Sequence, residues 1–221
     1  VLTLLEDYLN ARHLGKLAKP GNFFDFTRYR LGIHLVEGQR EIEIPNSFIN
    51  YAEQPNGKDL LFFHLLEPHM QGEVYADSVL KVLRKFGVMR YCLIGSMYDA
   101  VPHTKPLIVS GSMAGSAGEE LRQLGVQPSN YEGPTAISVL VSQEAPKYKI
   151  EVASLIVHLP QYIRLEKDYI GVLRLMELLC SLYNLPLDLG GVRLKAEEQS
   201  RELSLAMDKE PQLKQIVQQL E

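Results

Sequence analysis

The sequence predicts an α/β protein with a mostly parallel or mixed sheet, helices on both of its faces, and further helices closing the chain. Short continuous apolar runs at 60–65 and 88–94 have the character of strands covered on both faces. They alternate with segments of helical periodicity such as 72–86. Strands and helices in alternation imply a layered arrangement rather than an all-β or all-α one.

In order along the chain, Leu2, Leu5, Leu9 and Leu14, with Leu4 and Tyr8, make a helical stripe ending near Gly15 or Pro20. Over 29–52 the pattern alternates loosely. Ile42 and Ile44 flank Glu43 ahead of Pro45, which predicts an antiparallel strand pair turning at Gly38. The strand at 60–65 leads to a helix over 72–86, with Val79, Leu80, Leu83 and Phe86 on one face. Gly87 is its natural cap, since glycine enters the left-handed region at no steric cost. A strand over 88–94 ends at Gly95; another covers 107–111, and a short helix over 115–124 is stopped by Gly125.

Pro134 opens a segment, 135–144, with the pattern of a strand turning into a helix or of a helix throughout, the helix being favoured. The run 152–158 is β-branched and bounded by Pro160, as a strand is. A long helix over 167–183 is apolar on more than one face, which marks burial inside a protein or an oligomer. Helices at 196–207 and 211–220 finish the chain, the last with Leu213, Ile216, Val217 and Leu220 at i, i+3, i+4, i+7. The strands near 60–65, 88–94, 107–110 and 152–158 are expected in one mostly parallel sheet. Leu61, Phe63, Leu93, Ile94, Ile108, Leu155 and Val157 are expected to be mostly buried. With no linker, repeat or low-complexity tract, 1–190 reads as an α/β domain and 191–221 as its helical C-terminal appendix.

At 221 residues, 46% hydrophobic and 23% charged, the composition is that of an ordinary globular protein. A net charge of −4 does not favour phosphate backbones, so no nucleic-acid partner is expected. The basic group Lys81, Arg84, Lys85 and Arg90 reads as a solvated helix face. No apolar run approaches the ~20 residues needed to span a bilayer, so no membrane partner is expected. Cys92 and Cys180 read as small buried hydrophobes without a disulfide framework, and cytoplasmic residence is expected.

Candidate site residues lie in loops at strand ends, where α/β domains bind ligands. The stretch 93–104 reads as an apolar strand emptying at Gly95 into a loop with Asp99, His103 and Thr104. Glu132, Gly133 and Thr135 shape a tight turn ahead of a new element, and His158 and Tyr162 flank a strand end. Together these nine residues are the candidate pocket. Asp99, His103 and Thr104 have the types of an acid, a base and a nucleophile. No glycine-flanked serine elbow accompanies them, and a structural role in the turn is favoured. The run 110–118 is rich in glycine and serine, and Gly111, Ser112, Gly115 and Ser116 are candidate anion contacts. It lacks the lysine of a P-loop, and a plain surface connection is favoured. His64, Glu67 and His69 have metal-ligand types at a spacing unsuited to a helix-borne site; no metal is expected.

Four segments carry a family resemblance: Tyr98-Asp99-Ala100-Val101-Pro102-His103-Thr104, Ser129-Asn130-Tyr131-Glu132-Gly133-Pro134-Thr135, Leu159-Pro160-Gln161-Tyr162 and Leu185-Pro186-Leu187-Asp188-Leu189. In this order they resemble the proteasome assembly chaperone 2 family, in particular its bacterial branch, from about Phe23 onward. The resemblance implies a three-layer αβα sandwich like that of nucleoside phosphorylases. It also implies a non-catalytic assembly or interaction protein, forming a homo-oligomer with a trimer foremost, acting on an unspecified protein partner and using no cofactor. The alternative is a small-molecule (nucleoside or nucleotide) binding protein or enzyme using the strand-end pocket. Family members usually begin with a strand and a glycine-tryptophan loop; this chain has no Trp and no such strand, so no contribution of that loop to a pocket is expected from these residues. Relatives acting on the proteasome often end in a hydrophobic residue, a tyrosine and one more. Here Gln219-Leu220-Glu221 stands in that place, and no tail-dependent docking is expected.

Overall fold

The computed structural model describes residues 1–54, 57–111, 115–208 and 210–221. Its elements run in the order α1 (Leu2–Tyr8), β1 (Arg12–Lys16), β2 (Gly32–Val36), β3 (Gln39–Glu43), β4 (Phe48–Ala52), β5 (Leu60–His64), α2 (Gly72–Lys85), β6 (Arg90–Asp99), β7 (Val109–Gly111), α3 (Gly115–Gln123), β8 (Gln127–Pro128), α4 (Ile137–Glu144), β9 (Glu151–Pro160), α5 (Tyr169–Tyr183), α6 (Gly190–Asp208) and α7 (Pro211–Leu220). This is a mixed α/β protein that divides into two compact units. One comprises residues 2–89 and 133–150; the other comprises 90–132 and 151–221 together with Val1.

In the first unit, β4 pairs antiparallel with both β1 and β5 in a three-stranded sheet. The helix expected to end near Gly15 or Pro20 stops at Tyr8. Asn10 takes a φ of 51°, and the Leu9 and Ala11 amides close back onto the Leu5 and Glu6 carbonyls, so the chain turns out of the helix. Residues 12–16 then form β1. The strand at 60–64 is antiparallel to β4, not part of a parallel sheet with the later strands. Only residues 53–59 separate it from β4, and a parallel neighbour needs a crossover of about a dozen residues. Inside this unit Tyr75 of α2 is buried against Phe23 and Phe24, and its hydroxyl lies 2.6 Å from the buried Ser47 hydroxyl. Burial raises the Tyr75 pKa. Helix α4 packs on α2.

β2 and β3 stand apart as a two-stranded ribbon. Glu37 and Gly38 at its tip have φ values of 51° and 82°, the doubly left-handed turn whose twist matches a hairpin. Here the expected strand pair and its turn glycine are both present.

The second unit holds a mixed sheet in the order β6-β9-β7-β8. β6 and β9 are parallel over ten residue pairs, β7 is antiparallel to β9, and β8 is parallel to β7. On β9, Ala153, Leu155 and Val157 are buried, and α3 and α5 pack against this strand. Gly171 of α5 sits so close that an added Cβ would lie 3.0 Å from Leu159 Cδ2. Asp168 caps α5, accepting from the Gly171 amide at 2.7 Å. Of the seven residues expected to be buried, Leu155 and Val157 are; the other five are half-buried, and on β5 the buried residue is Phe62. On β9 burial alternates because only one face of the strand is fully covered, as period-2 geometry dictates.

Candidate functional site

β6 does not end at Gly95. It continues to Asp99, paired residue for residue with β9 as far as Pro160. Gly95 is a packing notch rather than a stop: a Cβ there would lie 3.0 Å from Ile156 Cδ1 of the neighbouring strand. The extension matters because parallel register puts Asp99 and His158 on one face. Antiparallel register with β7 adds Ser110 to the same face.

These three side chains form one chain of hydrogen bonds across three strands. Asp99 Oδ2 lies 2.7 Å from His158 Nδ1, and His158 Nε2 lies 2.8 Å from Ser110 Oγ. A carboxylate can only accept, so Nδ1–H donates to Asp99 and Nε2 faces the serine hydroxyl. The Ala100 amide donates to Asp99 Oδ1 at 2.7 Å. The bond from His158 and then that from Ala100 hold the Asp99 carboxyl below its usual range.

The connectivity is that of an acid–base–nucleophile relay. Its accessibility runs the other way. The Asp99 and His158 side chains are 40% and 14% exposed, while Ser110 is 4% exposed within β7. A nucleophile has to be reached by its substrate, and here the hydroxyl is the innermost member. Ser110 also sits in a strand, not at a strand-to-helix elbow. At Gly111 an added Cβ would fall 1.9 Å from the Ser154 carbonyl oxygen, so β7 and β9 approach too closely to open there. The arrangement pins three strands together.

The loop beyond holds a second polar pair. The Tyr162 hydroxyl accepts from the His103 amide at 2.8 Å and lies 2.8 Å from His103 Nδ1. Burial lowers the His103 pKa and raises that of Tyr162. Thr104 donates to Glu221 Oε1 at 2.6 Å, and the Gln161 amide donates to the Asp99 carbonyl at 3.0 Å. Asp99, His158, His103, Tyr162 and Thr104 therefore all belong to one unit. Glu132 is exposed at the end of that unit's first segment. Gly133 and Thr135 are exposed at the start of the other unit's second segment, and Gly133 takes a φ of 154°.

Of the candidate anion contacts, Gly111 ends β7 and Gly115 and Ser116 open α3, while Ser112 lies outside the described residues. His64, Glu67 and His69 go to three different partners. His64 Nε2 lies 2.7 Å from Glu6, His69 Nδ1 accepts the Asp25 amide, and the Glu67 carboxylate accepts the Ile137 amide that starts α4.

Sequence reasoning missed two features. Ser110 joins His158 only through sheet register, which no local pattern encodes. Arg90, read as part of a solvated face, makes paired bonds to Glu120 at 2.8 and 2.9 Å and to Glu151 at 3.0 and 2.9 Å. Charge-assisted forks of this kind are strong and directional, and they tie α3 and the start of β9 to β6. Alternating sign in sequence could not reveal partners 30 and 61 positions away.

Fold and site thus define an α/β protein whose strand-end polar groups are bonded to one another rather than aimed into an open cleft. The sequence profile of the PAC2 family matches residues 1–207, and the chain belongs to that family. Solved structures share the fold, three of them as follows. A PAC2 family protein from Streptomyces avermitilis is 22% identical with a TM-score of 0.85, over 98% of this chain and 91% of that one. A Mycobacterium tuberculosis proteasome-assembly chaperone homologue is 22% identical with a TM-score of 0.84, over 98% and 91%. A Pyrococcus furiosus archaeal proteasome activator is 14% identical with a TM-score of 0.67, over 93% and 86%. No curated protein matches the chain. Among the described residues no helix is long and apolar enough to cross a membrane.

Proposed function

We propose that this protein is a non-catalytic assembly or interaction protein, working through protein surfaces as a cytoplasmic homotrimer. The observation that carries the reading is the inverted relay: its serine is buried at 4% exposure, so this acid–histidine–serine chain serves the sheet. Membership of the PAC2 family supports it, as do structural neighbours named as a proteasome-assembly chaperone homologue and a proteasome activator. In this reading the α/β body over 1–190 carries the binding surfaces, with 191–221 as its helical appendix.

The test is capture of the full chain with its cross-linked neighbours from the source cell, followed by reconstitution of each candidate complex from purified components. A discrete complex of fixed stoichiometry is expected. A parallel thermal-shift screen of nucleosides and nucleotides decides the other way. A saturable stabilisation by one of them, with no protein complex reconstituted, overturns the reading in favour of a small-molecule site.

A further inference from the structure

A cavity of about 410 Å³ lies wholly within the first unit, lined by Phe24, Asp25, Phe26, Arg28, His69 and Met70. It forms where two segments are bonded to each other. The His69 and Met70 amides both donate to the Phe23 carbonyl, at 2.8 and 3.1 Å, and the Asp25 amide donates to His69 Nδ1 at 3.1 Å. Phe24 is 1% exposed, its ring edge-on to Tyr29 and Tyr75, so this wall belongs to the core. The turn beyond it is held as well. Asp25 Oδ1 accepts from the Thr27 amide and hydroxyl at 2.8 and 2.7 Å, and the Arg28 and Tyr29 amides donate to the Asp25 carbonyl at 3.0 Å.

Its polar groups keep bonding capacity unspent. Because His69 Nδ1 accepts, the ring proton sits on Nε2, a donor with no partner among the described residues. Asp25 uses Oδ1 for Thr27. Its Oδ2 has only the Arg28 guanidinium, 3.9 Å away and beyond hydrogen-bond length. We propose that this cavity binds an α-amino acid with an apolar side chain. Its ammonium group sits on Asp25 Oδ2, its carboxylate accepts from Arg28 and His69 Nε2, and its side chain lies against Phe24, Phe26 and Met70.

Charge selects this class of ligand. A simple anion would meet the Asp25 carboxylate and a simple cation the Arg28 guanidinium, whereas a zwitterion is attracted to both. Parting Asp25 from Arg28 costs little, since an exposed pair of this kind contributes under about 1 kcal/mol. The volume is near the lower end of the roughly 300–1,000 Å³ of small-molecule pockets, which suits a compound of amino-acid size over an extended peptide. A few placed polar groups beside aromatic walls are what such pockets offer. The Arg28 side chain is 72% exposed and Met70 is 44% exposed, so the cavity is reached from solvent. Binding here requires neither the strand-end cluster nor a protein partner, so the proposal goes beyond the interaction reading.

Titration calorimetry of the full chain with leucine and phenylalanine tests this, with circular dichroism as the check on folding. Saturable one-to-one binding of at least one of them is expected. Glycine, N-acetyl-leucine and leucine amide, which lack the side chain, the ammonium group and the carboxylate in turn, should each bind at least about tenfold more weakly. Asp25→Asn keeps an acceptor for Thr27 and removes the charge; it and Arg28→Gln should each weaken binding by a similar factor. If Asp25→Asn loses the native spectrum, Arg28→Gln decides alone. No saturable binding of either amino acid at millimolar concentration overturns the proposal. So does N-acetyl-leucine binding as tightly as leucine, or binding that Arg28→Gln leaves unchanged.

Discussion

In the strip formed by β6, β9 and β7, side chains of opposite chemistry are resolved inward: Leu155 and Val157 are buried, and Asp99, His158 and Ser110 are bonded to one another. On the β2–β3 ribbon His34 pairs with Glu43, yet Ile33, Leu35 and Ile42 face water at about two-thirds exposure. Both regions consist of strands with clean alternation. The difference is that one has helices packed on it and the other leaves its apolar side largely exposed. Polar residues in a strand-end cluster attract attention as chemistry, but here they are internally satisfied. The surface left bare is the apolar one.

The widest contrast should appear in stability. Leu155→Ala removes a fully buried side chain at the centre of β9 and should cost about 2–5 kcal/mol. Ile33→Ser on the ribbon should change the stability of the single chain by less than about 0.5 kcal/mol. Urea denaturation of both variants, at a concentration low enough to hold single chains, checks the pair. Comparable losses at the two positions would break the comparison.

The polar ladder comes next. His158→Ala leaves the buried Ser110 hydroxyl without its ring partner and should destabilise by about 1–3 kcal/mol. As a structural pin it should do so with no loss of any measured ligand affinity. Reaction of Ser110 with a fluorophosphonate, abolished in His158→Ala, would instead make the relay catalytic.

A smaller effect separates the loop from the strip by pH. Burial holds His103 below its ordinary value of 6.5, although Glu221 opposes this. The unfolded chain therefore binds a proton before the folded one does. Stability from the neutral ring is complete above that value and is lost as pH falls through the lower folded value. Wild-type melting temperature should drop more steeply than that of His103→Asn between about pH 7 and about pH 5. Parallel curves would show that His103 does not couple to folding.

Least of all should change at the thiols. Burial pushes Cys92 up to about 11 and raises Cys180 as well, so alkylation near neutral pH should be slow at both in the native protein and fast after denaturation. Rapid native labelling of Cys92 would mean that this part of the sheet opens readily.

Much of the fold was legible because local signals were consistent. Gly38 between alternating residues gave the ribbon, Gly87 and Gly125 marked helix ends, and the apolar periodicity of 167–183 gave α5. What was illegible depended on partners distant in sequence. Gly95 looked like a strand end because glycine usually interrupts strands, whereas here it makes room for Ile156. The run 60–65 looked like a buried parallel strand because apolar composition does not encode direction; the short connection from β4 decides it. At the site, Asp99, His103, Tyr162 and His158 were named from residue type and turn context. Their pairing, and the inclusion of Ser110, follow from the register of three strands, which composition cannot supply. The exposure of the ribbon is of the same kind, since alternation shows which residues share a face but not whether anything covers it.

Hydrogen exchange read by mass spectrometry on the full chain puts both regions into one measurement. It compares the wild type with the His158→Ala variant at the same micromolar concentration. The expected result is that amides of 90–99 and 151–160 are protected in the wild type and exchange faster in the variant, while those of 32–43 exchange alike in both. Equal exchange of 90–99 and 151–160 in the two proteins would contradict the central claim that the strand-end cluster is a pin holding the sheet together and not a site of chemistry.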